Sequence, residues 1–215
     1  MGSKERSKIG KKREDKRFLS SEPFLIPIIK GKLVQELKPQ VCWQELGLSV
    51  TFHQLDVLDK SSIEEFCDWV KEQYGGIDIL VNNAGVNFNI GSENSVEFAR
   101  MVVDTNYYAT KNVTKAMIPL IRASEAGGRI VNVSSKLGRV SGKRNGYWRR
   151  RWLIGPTAEK IYVNCYCPGW VKTAMTGWAG TTSAEDGADT GVWLALLPDQ
   201  AITGKFFAER REIAF

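Results

Sequence analysis

A single histidine and four cysteines are all that 215 residues offer toward a metal centre or a disulfide framework. Cys42, Cys67, Cys165 and Cys167 show neither a C-x-x-C pair nor a zinc-finger spacing. His53 stands inside an apolar stretch with no second ligand at a useful interval, so it reads as structural and no metal site is expected. Cys165 and Cys167 lie roughly 6.6 Å apart along a strand, the strained limit for a disulfide. Reduced thiols in a cytoplasmic setting are expected. No run of about eighteen apolar residues occurs, which excludes a membrane-spanning helix. The charged start of the chain lacks the apolar core of a secretory signal.

Acidic charge is scarce in two places only. Residues 1–17 carry eight Lys/Arg against three acids, and residues 136–151 carry seven with no acid. The other 15 basic and 21 acidic residues leave the body mildly acidic, although the whole chain is +6. Such a body is not built throughout for nucleic acid, so a nucleic-acid partner is not expected. A hydrophobic share of 43% is enough for the core of one domain. Residues 1–22, Lys-rich and nearly free of large apolar side chains, are expected to be a disordered basic arm. The domain is expected to span 23–215, and the sequence leaves its oligomeric state open.

Along that span, Pro23 to Lys30 is apolar but interrupted by Pro27, which deletes a ladder donor and suits an edge piece or packing loop. Leu33 to Leu46 predicts a helix with a break near Pro39. Val50 to Val57 predicts a strand ending at Asp56. Ser61 and Ser62, each followed three residues later by a Glu, predict a capping box, and Ile63, Phe66, Trp69 and Val70 share one helical face. Ile77 to Val81 is a short apolar run of the kind buried in parallel sheets, and it stops at Asn82-Asn83-Ala84-Gly85. A helix is expected from about Ser95 to Ile121, carrying Val96, Val103, Val113 and Met117. Further strands are expected over Gly128–Ser135, from Ile161 toward Thr173, and at Gly204–Glu209, with a helix after Ser183. The β-α-β-α-β order predicts an α/β fold, a doubly wound parallel sheet. Ligands bind such sheets beyond the carboxyl ends of the strands, where Asp56, Asn82–Gly85, Ser135 and Pro168–Thr173 converge.

These four segments, in this order, resemble the short-chain dehydrogenase/reductase family, and most closely its carbonyl-reductase-like branch with the plant menthone and neomenthol reductases. The resemblance covers roughly Val50–Ser135 and Lys160–Phe215. It implies a Rossmann-like sheet and reduction of a ketone or aldehyde by NADP(H) or NAD(H). Asp56 would then accept from the adenine amino group beside the Val57 backbone, and Asn83, Ala84 and Gly85 would line the adenosine. Ser135 would hydrogen-bond the substrate carbonyl, Asn106 would hold a water of the proton relay at a helix irregularity, and Pro168, Gly169, Val171 and Thr173 would hold the nicotinamide end. Blander roles stay open from the residues alone: Asp56 as a turn cap, Asn106 as a solvent-facing helical residue, Ser134 and Ser135 as strand-end turn residues.

Two of the family's parts have no counterpart where they belong. No Gly-rich turn precedes Asp56, since Gly10, Gly31 and Gly47 are isolated, so the sheet is expected to be incomplete in its amino-terminal half. The Tyr-x-x-x-Lys pair that would follow Ser135 is absent from residues 136–159, where Tyr147 and Arg151 are the nearest substitute. Weak cofactor binding and impaired turnover are therefore expected. A non-catalytic remnant of the family, or a binder of acidic partners through the basic segments, are the other readings.

Overall fold

The computed structural model describes residues 50–88, 95–122, 127–138, 161–197 and 202–214, together with the backbone of 24–25 and 28–29. The basic arm 1–22, the helix expected over Leu33–Leu46 and the Tyr147/Arg151 pair lie outside the described residues.

A five-stranded sheet carries the carboxyl-terminal part, in the order β5 (Ile79–Asn82), β6 (Gly128–Val133), β7 (Ile161–Tyr166), β8 (Phe206–Ala208) and β9 (Arg211–Ile213). The first four are mutually parallel. β9 returns antiparallel to β8, a strand the sequence reading lacked, because Glu209 and Arg210 turn the chain with positive φ. β6 is buried along its first four residues, as a near-continuous apolar strand covered on both faces should be.

The amino-terminal strands are much shorter. β1 (Phe24–Leu25) pairs in parallel with β3 (Val50–Thr51), and β2 (Ile28–Ile29) with β4 (Gln54–Leu55). Pro27 lies between the two paired pieces in sequence, outside the described residues. The single strand expected over Val50–Val57 is interrupted at Phe52–His53. There the His53 ring lies 4.6 Å from that of Trp69 and 5.6 Å from that of Phe66, so it packs as a structural residue.

Helix α1 (Lys60–Tyr74) follows β4. Its cap is Asp59, whose carboxylate accepts from Ser61 N–H, and not the expected serine box. The Ser62 hydroxyl is used instead as an acceptor for the Asp56 N–H at 2.9 Å. Ile63, Phe66 and Val70 are buried and Trp69 is half-buried. They pack with Leu55, Val57, Leu80, Val113, Met117 and Ile130 in one cluster that joins the amino-terminal pairs to the large sheet. At about 25 cal/mol per Å² of apolar surface, a shared cluster of this kind is the main attraction between the two parts.

The helix expected over Ser95–Ile121 is divided. α2 (Val96–Val103) is capped by Ser95, a π-helical turn spans Asp104–Ala109, α3 spans Thr110–Met117, and a 3-10 turn closes it at Ile118–Leu120. Val113 and Met117 are core residues as expected, but Val96 is 73% exposed and Val103 is exposed as well. α4 (Ala184–Ala195) begins at Ser183, whose hydroxyl accepts from Asp186 N–H. No helix among the described residues is long and apolar enough to cross a membrane.

Candidate active site

The strands β5, β6 and β7 are parallel neighbours, so the loops that follow them leave from one edge of the sheet. The Ser134 N–H donates to the Tyr166 carbonyl at 2.7 Å and binds the end of β6 to the end of β7. Asp56 and Val57 follow β4, and a small recess between β4 and β5 is lined by Leu55, Val57, Leu80, Asn82, Asn83 and Ala84. Asp56, the Asn83–Gly85 loop, Ser135 and the Pro168–Thr173 loop therefore all leave strand ends, as the sequence reading placed them.

Asn82 does the tying that an amide at a strand end suggests. Its Nδ2 donates to Thr114 Oγ1 at 3.0 Å and to Asn132 Oδ1 at 2.8 Å, which pins α3 to the β5/β6 seam. The row continues onto β7, where Cys165 is the register partner of Asn132. Burial pushes the Cys165 thiol up to about 11, with the Asn132 side chain pulling the other way.

Asn106 lies in the π-helical turn, an irregularity of the kind that recurs at functional sites. Its side chain bonds twice to Val86: the Val86 N–H donates to Oδ1 at 2.8 Å, and Nδ2 donates to the Val86 carbonyl at 2.9 Å. The two bonds fix the loop after β5 against the helix. A Cβ at Gly85 would sit 3.3 Å from Asn106 Oδ1, tighter than an ordinary contact, so the loop is fitted to a glycine there. The Asn106 carbonyl accepts from Thr110 Oγ1 at 3.1 Å.

Asp56 accepts the Leu58 N–H on Oδ1 at 3.0 Å, a turn-capping contact that leaves its second oxygen open to a ligand. Val57 is buried in the core, so only its backbone is available at the edge. Ser135 is exposed, and its Oγ accepts from Leu137 N–H at 3.1 Å, which steadies the hydroxyl without consuming its proton. The loop after β7 turns at Gly169, where φ is +86°. Lys172 N–H donates to the Thr182 carbonyl and holds the Val171 segment. Thr173 closes a capping box with Thr176. Asn83 is exposed and Ala84 half-buried, leaving the backbone approachable on that side. Among the described residues no group of three His, Cys, Asp or Glu side chains could hold a metal.

One pair escaped the sequence reading. Tyr107 and Lys111 stand four residues apart, and the Lys111 ammonium lies 5.9 Å from the Tyr107 ring centroid. The signal was the plain spacing Tyr-x-x-x-Lys, present in the helix after β5 and not in the segment after β6 where the family carries it.

A parallel α/β sheet whose polar and small residues collect at the strand carboxyl ends defines a doubly wound nucleotide-binding class of protein. Within that class the chain belongs to the short chain dehydrogenase family, whose model matches residues 31–147. The match opens upstream of Val50, where the sequence reading found no resemblance. Carbonyl reductase (NADPH) 1 of Bos taurus is 33% identical, over 79% of this chain and 81% of that protein. The Homo sapiens protein of the same name is 32% identical, over 78% and 80%. Among solved structures, salutaridine reductase from Papaver somniferum superposes with a TM-score of 0.64 at 27% identity, covering 78% of this chain and 85% of that one.

Proposed function

We propose that the chain is a carbonyl reductase that uses NADPH to convert a ketone or aldehyde into an alcohol, in the cytoplasm. The observation that carries the reading is the single loaded edge of β5, β6 and β7, bearing the Asn106-clamped loop, Ser135 and the Pro168–Thr173 loop. The NADPH reductases similar to this chain support the choice of cofactor over NADH.

The residues fit the two ends of such a cofactor better than its middle. Asp56 with the Val57 backbone, and Asn83, Ala84 and Gly85, suit the adenosine. Pro168, Gly169, Val171 and Thr173 suit the nicotinamide end. For the diphosphate there is no Gly-rich turn before Asp56 in the sequence. Two or three charge-assisted bonds lost there, each worth about 1.5–3 kcal/mol, weaken binding by about three decades. The bound cofactor would supply the hydride. The Ser135 hydroxyl donates to the carbonyl oxygen and steadies the negative charge that grows there, a role that needs only a fixed donor. Asn106 acts as a positioning residue that holds the loop after β5.

The test is reduction of cyclic ketones and aldehydes under excess NADPH. Slow turnover is expected, and Ser135→Ala should lower kcat by about 10²–10³ without changing NADPH affinity. No reduction of any carbonyl by a chain that demonstrably binds NADPH would overturn the proposal.

A further inference from the structure

A glycine inside a helix needs a reason, since only proline forms helix less readily. α4 keeps Gly187 and Gly191 four residues apart, and both are buried. Each lacks a Cβ where one would collide. At Gly191 the Cβ would lie 2.6 Å from the ring of Tyr166, a core residue at the end of β7. At Gly187 it would lie 2.6 Å from Val171 Cγ2, 3.2 Å from Val171 Cγ1 and 3.5 Å from the Pro168 carbonyl oxygen. The obstacle at Gly187 is therefore the loop after β7 and not the sheet.

Val171 meets a further glycine. A Cβ at Gly180 would run into the Val171 carbonyl group and the Lys172 nitrogen, well inside van der Waals contact. The backbone of Val171 thus lies against Gly180 and its side chain against Gly187. Bonds within the loop make it one piece. The Thr181 and Thr182 N–H groups both donate to the Trp170 carbonyl, at 2.9 and 3.0 Å, and Lys172 N–H donates to the Thr182 carbonyl at 2.9 Å. Thr176 Oγ1 donates to the Val171 carbonyl at 2.7 Å. A push on Val171 is passed to its neighbours through these bonds. Clearing a Cβ at Gly187 takes a shift of roughly 1 Å, because carbon atoms pack at about 3.5–4.0 Å.

We infer that Gly187 is a positioning residue of this reductase. The space left by its missing Cβ seats Val171, and through Val171 it sets where the Pro168–Thr173 loop stands at the nicotinamide end of the cofactor. The inference rests on the reductase reading. Gly187 acts only through Val171, so its effect depends on the Val171 methyl groups.

The experiment uses the full chain, Gly187→Ala, Val171→Ala and the double variant. With saturating NADPH and a cyclic ketone, Gly187→Ala should lower kcat by about 10², the size of effect that a 1 Å misplacement can have. Reduced nicotinamide mononucleotide should bind several-fold more weakly. A third readout needs neither cofactor nor turnover: hydrogen exchange should quicken at the Lys172, Thr181 and Thr182 amides and stay unchanged in β5 and β6. In the Val171→Ala background the same Gly187→Ala change should move each readout by less than about twofold. Parent values in Gly187→Ala, or losses of equal size with and without the Val171 methyl groups, overturn the inference and leave the reductase reading standing. Quickened exchange spread through β5 and β6 would assign Gly187 to the fold at large and overturn it too. A parent that binds no mononucleotide and reduces no carbonyl defeats both.

Discussion

β6 and β7 pair over six residues within a five-stranded ladder, whereas β1 to β4 meet two at a time over two residues each. The longer ladder supports Ser135, the clamped loop after β5 and the loop after β7. The short pairs support only Asp56 and Val57. The chemistry of carbonyl reduction would thus sit on the well-paired part, and the grip on the cofactor's adenosine and diphosphate would depend on the sparsely paired one. What joins them is packing: Leu55, Val57 and Phe66 from one side meet Leu80, Val113, Met117 and Ile130 from the other.

The contrast can be broken at that cluster. Phe66 is 1% exposed at its centre, and Phe66→Ala should cost about 3–5 kcal/mol in urea unfolding. A single transition is expected for both variant and parent. A loss below about 1 kcal/mol, or two separate transitions, would mean the parts do not share a core.

A smaller effect should stay on the well-paired side. Asn82→Ala leaves Asn132 Oδ1 and Thr114 Oγ1 without the amide they share, at a cost of about 2 kcal/mol. Hydrogen exchange should quicken in β6 and α3 and remain unchanged in α1. Equal quickening in α1 would show that the polar row serves the whole molecule.

The smallest effect is on alkaline stability. The thiol of Cys165 is pushed up to about 11 from an ordinary value of 9.0 by burial, so the folded chain holds that proton more tightly than the unfolded one. The stability tied to it is complete below the unfolded value and is lost as pH rises toward the folded one. By pH 10 the loss should be about 1.4 kcal/mol. Cys165→Ser should remove that part of the alkaline decline, and an unchanged pH profile in the variant would contradict the assignment.

Much of this was legible from the residues. Apolar runs that stop at Asp56, Asn82, Ser134 and Pro168 announced four strand ends, because buried parallel strands leave few polar positions before their loops. Ser183 as the start of α4 followed from capping chemistry. Other features were hidden for physical reasons. Asp59 and Ser61 are both good caps, and the winner depends on Ser62 being drawn to the Asp56 backbone. The π-helical turn has no compositional mark; only the family resemblance placed a helix irregularity at Asn106, where bonds to Val86, twenty residues away in sequence, hold the turn. Val96 and Val103 fit an apolar helical face that the fold leaves exposed. Glu209 and Arg210 gave no turn signal, since positive φ there is secured from outside by Thr190, which accepts the Arg210 N–H, and by the Arg210–Asp189 ion pair.

The difference between the two parts is measured most directly by titrating the full chain with NADPH and, separately, with reduced nicotinamide mononucleotide, which lacks the adenosine half. If the adenosine contacts are kept and the diphosphate grip is gone, NADPH should bind no more than about a hundredfold more tightly than the mononucleotide, a difference of about 2.8 kcal/mol. Micromolar NADPH binding, with the mononucleotide weaker by four decades or more, would show a working diphosphate site and contradict the account.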